Sequence, residues 1–461
     1  MMKMYSPLLV GAWARLGATG AILLTACAPS QDAPTPNTAF NASRYVAVGD
    51  SYTAGVSNGG LTRASQDYSF PNQLAQQFIQ ANANATFSQP YLEAGSGSGY
   101  LSLVDLPASG LPVVRRIAGQ AVVRTVINPT ACGGPDTVRL LTRSATASAL
   151  PQNLGVPGLL LTQIETANLG NAINATPTGA FNPYFERLLP AADSRTYLAA
   201  VAANSASATF FTYFMGLDNL LPYLRSGGEC GVVSASVLNA NARKMLAVLT
   251  ANGRPGIIAR LPALTNLPLL RLGRGLALQS RLQVTFGDTA RVYINDNGYI
   301  QPITNDDYVL ATVLPRLGQR TSVVVNGTTL QLPYGRDIRN PVRDADVVDK
   351  TELARINLAV NGHNTDLEAA ALLYKLPIGL NGTRTLDSNA AFPNFVGETI
   401  LVNGVTYSAE PVRGNFYSLD YYSLTPRGNA LLANAFILAI NSAYRANIPA
   451  IDANKPPTSV Q

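Results

Sequence analysis

Histidine is nearly absent from this chain: 461 residues contain one, His363. Cysteine is scarce too, with only Cys27, Cys132 and Cys230. One imidazole and three isolated thiols give no recognisable zinc set, and no spaced carboxylate cluster suggests calcium, so neither metal nor cofactor is expected. The net charge of +6 includes Lys3 and Arg15 at the extreme N-terminus, and the other cations are scattered rather than clustered. That pattern argues against a nucleic-acid partner. There is no internal repeat.

The N-terminus is of another kind. A lightly basic start leads into a short apolar run, Leu16 to Ala26, too short to span a bilayer as a helix. It ends in Leu24-Thr25-Ala26-Cys27, small residues before a cysteine, as a lipoprotein signal peptidase requires. Residues 1–26 are therefore expected to be a signal peptide and Cys27 a lipidated anchor; an ordinary secretory signal cut nearby is the plainer alternative. Ala28 follows in place of an aspartate, which favours passage to an outer membrane. Residues 27–42 are rich in Pro, Ser, Thr and Asn and suit a flexible tether.

Beyond it no second linker interrupts the chain, and one domain is expected over residues 43–450, with a tail at 451–461. Runs at Arg44 to Gly49, Ala208 to Gly216 and Gly256 to Pro262 read as buried strands. Val237 to Ala251 and Asn429 to Tyr444 read as helices, the latter with Leu432, Phe436 and Ile440 on one stripe. Strands alternating with helices indicate an α/β domain with a mainly parallel sheet. From about 291 to 345, short β-like runs with Asn-Gly turns predict an inserted hairpin region, either a lid or a surface decoration. In an exported protein Cys132 and Cys230 are a possible disulfide.

The chemistry concentrates in four blocks. Gly49-Asp50-Ser51 follows a strand and opens a helix, a context that exposes a serine hydroxyl and frees its amide. Asn153 to Gly158, then Gly216-Leu217-Asp218-Asn219, then Asp420-Tyr421-Tyr422-Ser423 complete the series, with Ser226-Gly227-Gly228 after the third block and Thr425-Pro426-Arg427-Gly428 after the fourth. In order and spacing these resemble the SGNH (GDSL-type) hydrolases, and more narrowly an exported lipoprotein branch similar to Bacteroidetes acylhydrolase-like proteins. The resemblance implies a flavodoxin-like three-layer sandwich. It implies Ser51 as nucleophile, an oxyanion hole from the Ser51 and Gly158 amides and a block-three asparagine, and Asp420 orienting a histidine three residues on.

Two positions depart from that pattern. Asp218 stands where the asparagine is expected, with Asn219 next to it, and Ser423 stands at the histidine position. Loss of the base costs several powers of ten in turnover, and a carboxylate in the oxyanion hole repels the anion that forms. His363 lies in a helix-like stretch remote from the fourth block. Ser51 could then serve as a helix cap and Asp420 as the cap of a short turn. Tyr421 and Tyr422 fit either a ligand surface or the core. The expectation is a membrane-anchored, catalytically impaired lipoprotein that binds a small ester, acyl or glycan ligand or has a structural role. The alternative is a working esterase on lipid or acetylated glycan esters with an unorthodox base. Oligomeric state is not legible.

Overall fold

A computed structural model describes residues 40–107, 111–128, 131–132, 136–142, 149–287, 289–390, 392 and 399–459. Cys27, the signal peptide and nearly all of the tether lie outside them. The central element is a four-stranded parallel sheet. Its strands are β1 (Tyr45–Gly49), β6 (Asn153–Gly155), β7 (Phe210–Phe214) and β8 (Gly256–Ile258), in the order β6-β1-β7-β8. Four further strands, β2 (Tyr100–Asp105), β3 (Val113–Ile117), β4 (Val122–Asn128) and β5 (Asp136–Leu141), intervene in sequence between β1 and β6.

Every residue of β1, β7 and β8 is buried, which matches sequences that are apolar apart from Thr212; a parallel strand covered on both faces has no reason to alternate. Register is tight: Tyr45 pairs with Phe210 and Gly49 with Phe214. Helix Phe70–Ala81 packs on this sheet, its Phe78 ring edge-on to Tyr45 at 5.2 Å. The terminal helix Pro426–Tyr444 meets it through Phe70 and Phe436, stacked at 4.9 Å, and buries Leu432, Phe436 and Ile440 as the expected stripe. Thr425 caps that helix by accepting the Gly428 N–H, so it starts three residues before the predicted Asn429.

The inserted region behaves as its turn chemistry dictates. Hairpins Tyr293–Asp296/Tyr299–Pro302 and Arg320–Val325/Thr328–Pro333 turn through Asn297-Gly298 and Asn326-Gly327, all four with positive φ. Two hairpins nearer the N-terminus carry no such signal. β2 pairs with β3 and β4 with β5, antiparallel. Their apolar residues Val104, Val113, Val123 and Ile127 face solvent, so no core-facing alternation marks them in sequence. The tail at 451–461 does not hang free: through Ser459 it is bound to the domain. Tyr407 Oη donates to the Ala453 carbonyl, Asn454 Nδ2 to the Val402 carbonyl, and Asn58 Nδ2 to Ser459 Oγ.

Candidate functional site

The order β6-β1-β7 means that the chain leaves β1, crosses to one side to form β6, and later returns to the other side to form β7. Connections therefore diverge at the carboxyl end of β1, the place where open parallel sheets form their crevices. Ser51 follows β1, Gly158 follows β6 and Asp218 follows β7, so three adjacent strand ends deliver these residues to one point. Gly49 permits the approach, since a Cβ there would lie 2.1 Å from the Phe214 carbonyl oxygen. Gly158 has φ +70°, a left-handed conformation that glycine adopts freely, and its N–H is turned toward Ser51.

At that point sits a carboxylate. Asp218 Oδ2 accepts the Ser51 hydroxyl at 2.6 Å, the Ser51 backbone N–H at 3.1 Å and the Gly158 N–H at 2.9 Å. Two backbone donors converging beside a nucleophilic hydroxyl are what an oxyanion needs, and here the chain fills that position with its own side chain. Burial, opposed by the Ser51 and Gly158 hydrogen bonds, raises the Asp218 carboxyl above the usual carboxylate range. Asp50 behind it is raised well above that range, first by burial and then by the nearby Asp218. Asp50 Oδ2 accepts the backbone N–H groups of Gly216 and Asp218 and so fixes the loop that places Asp218.

Of the two block-three residues, then, Asp218 and not Asn219 occupies the hole. Asn219 turns away, its Oδ1 accepting the Leu161 N–H at 2.8 Å. Ser51 does not cap its helix, because its hydroxyl is committed to Asp218. Asp420 does hold a turn: its carboxylate accepts the Ser423 hydroxyl at 2.6 Å and the Gly59, Tyr422 and Ser423 N–H groups. Within that turn Tyr421 has φ +68°, an unusual conformation for a bulky residue. Ser423 is fully buried and carries no base into the site.

His363 is not hydrogen-bonded to Ser51. It lies on helix Lys350–Leu373, fully buried, with Nδ1 2.9 Å from Asn239 Oδ1 and Nε2 facing Gly216 from behind the loop. Burial pushes its pKa down to about 4, so it is neutral at physiological pH.

A cavity of about 520 Å³ opens over Ser51 and Asp218. Its walls include Arg116 from β3, Val126 from β4, Arg139 from β5, and Tyr184, Arg225 and Tyr422. The two hairpins without a sequence signal thus wall the site. Residues 291–345 contribute only Thr312, Pro315 and Gln319, and these line an adjoining cavity of about 900 Å³ beside Asp420. Cys132, in the β4–β5 connection, is disulfide-bonded to Cys230, after helix Leu221–Arg225, with Cα atoms 5.6 Å apart. The bridge ties the cavity wall to the segment that carries Arg225.

Sequence reasoning misses Asp50 as a positioning residue, although it lies inside the Gly-Asp-Ser triplet. It also misses Arg116, Arg139 and Arg225, which no local signal marks, because they come from two separate hairpins and a helix and meet only at the cavity. Comparison of the chain with family models, curated proteins and solved structures returns no match.

Proposed function

We propose that this chain is an exported, membrane-anchored lipoprotein of SGNH-hydrolase type that has given up ester hydrolysis and uses its cavity to bind a ligand. One observation carries the reading. A single oxygen of Asp218 receives both backbone donors and the Ser51 hydroxyl. A substrate carbonyl entering that position must displace a carboxylate held by three hydrogen bonds, and the tetrahedral intermediate would then develop negative charge beside it. The one imidazole is buried and Ser51 Oγ is bonded to Asp218 and Gly158, so neither ring nitrogen is hydrogen-bonded to the serine whose proton it would have to take.

The 2.6 Å contact also favours a second reading, in which Asp218 itself is the base for Ser51 and the protein is an esterase. A carboxyl with a raised pKa is a better proton acceptor than an ordinary one. The same oxygen blocks the oxyanion position, however, so base and hole cannot operate together in this arrangement. Hydrolysis of short p-nitrophenyl esters by the purified protein and by Ser51→Ala separates the two readings. Equal rates are expected; turnover that depends on Ser51 would establish the esterase. The anchor is tested by metabolic labelling with a fatty acid, which Cys27→Ser should abolish.

A further inference from the structure

The cavity over Ser51 carries a charge pattern that a neutral ester does not require. Arg116, Arg139 and Arg225 all line it, and Arg116 and Arg225 also line the adjoining chamber, so these two guanidinium groups stand where the chambers meet. Among the described residues, the carboxylates lining the two chambers are Asp218 and Asp420. Among the described residues, neither forms a salt bridge with the three arginines. Asp218 is engaged by Ser51 and Gly158, and Asp420 by Gly59, Ser423 and its own turn.

Arg116 Nη1 donates to the Gly59 carbonyl, which leaves its other N–H groups for a ligand. Arg225 lies over the Tyr422 ring at 4.6 Å, a contact that orients the guanidinium; burial lowers its pKa, but nearby Tyr422, Asp420 and Asp218 outweigh that and raise it. Arg139 makes no ion pair among the described residues. Burial, and after it the neighbouring Arg139, lowers the Arg116 pKa, as two like charges facing one space require. Away from Arg116, Arg225 and Asp420 the larger chamber has an apolar wall, formed by Leu101, Leu111, Val113 and Leu419.

We propose that the paired chambers bind an amphiphilic anion, with a carboxylate, sulfate or phosphate group held among Arg116, Arg139 and Arg225 and an apolar portion in the larger chamber. Planar guanidinium forks suit the oxygens of such groups. This deepens the binding role proposed above for the cavity and rests on that role, not on the loss of hydrolysis.

Fluorescence titration of the purified full-length protein with 2-naphthyl sulfate, 2-naphthyl phosphate and 2-naphthoate tests the idea, with neutral 2-naphthol and inorganic sulfate as comparators. At least one of the three anions should bind ten or more times more tightly than 2-naphthol and than inorganic sulfate. Arg139→Gln and Arg225→Gln, at unchanged melting temperature, should each weaken that binding about tenfold. Arg139→Lys, which keeps the charge, is the folding-safe companion and should bind better than Arg139→Gln. Equal affinity for 2-naphthol, equal affinity for inorganic sulfate, or indifference to both glutamine variants would overturn the proposal. Ester turnover dependent on Ser51 would overturn the loss of hydrolysis proposed above, and tight anion binding at the arginines would stand beside it.

Discussion

Asp218 and Ser51 meet twice: one carboxylate oxygen accepts the serine hydroxyl at 2.6 Å and the serine amide at 3.1 Å. The pair carries the proposal that ester hydrolysis has been given up, and it also predicts how the fold responds to pH. A carboxyl whose folded pKa is raised binds its proton more tightly in the folded state. Its contribution to stability is complete below the unfolded value and is lost as pH rises through the folded one. Asp218→Asn should therefore raise the melting temperature at pH 7 and flatten its decline above pH 4 in a calorimetric series. A lower melting temperature at pH 7 would show that the three hydrogen bonds outweigh the burial of the charge.

Glu352 gives a second titration, away from the site. It closes the capping box of helix Lys350–Leu373, where its carboxylate accepts the Asp349 N–H at 2.9 Å, and burial pushes its pKa up to about 7. Stability from this group is present below about pH 4.5, the ordinary glutamate value, and is lost as pH rises through about 7. Glu352→Gln keeps an acceptor for the cap. Its melting temperature should exceed that of the wild type at pH 8 and match it near pH 4.

Reduction of Cys132–Cys230 should loosen the wall of the cavity as well as the chain. The bridge closes a separation of 98 residues. Its loss should cost about 2–4 kcal/mol in denaturant unfolding. Hydrogen exchange should quicken in β4 and β5 before it does in β1 or β7.

Restoring both departures tests whether the rest of the machinery is intact. Asp218→Asn combined with Ser423→His replaces a blocking carboxylate with an amide donor and sets an imidazole beside Asp420. Turnover of p-nitrophenyl acetate should rise about a thousandfold over the Ser51→Ala background. Each single variant should stay within about tenfold of that background, since hole and base act on one transition state.

Much of the parallel sheet and the four blocks is legible because both are local. β1, β7 and β8 are short, largely apolar runs ending at turns, and Ser51, Gly158 and Asp218 each come shortly after a strand end. The Asn297-Gly298 and Asn326-Gly327 turns announce their hairpins for the same reason, since positive φ at both positions selects those residues. What the sequence withholds depends on distant pairing. Arg116 and Arg139 stand on different hairpins whose exposed strands lack alternation, so neither the hairpins nor their shared cavity leave a periodic trace. Nor does the order of Asp218 and Asn219 reveal which side chain enters the hole. That is decided by Asp50, which pins the loop through the Gly216 and Asp218 amides.

The most direct test of the proposed loss of hydrolysis is covalent. An alkyl fluorophosphonate labels a serine hydroxyl only where a base activates it and the oxyanion position is free to receive the phosphonyl oxygen. Intact-mass analysis after prolonged exposure should show the wild-type protein unmodified; a stoichiometric adduct that maps to Ser51 would contradict the account.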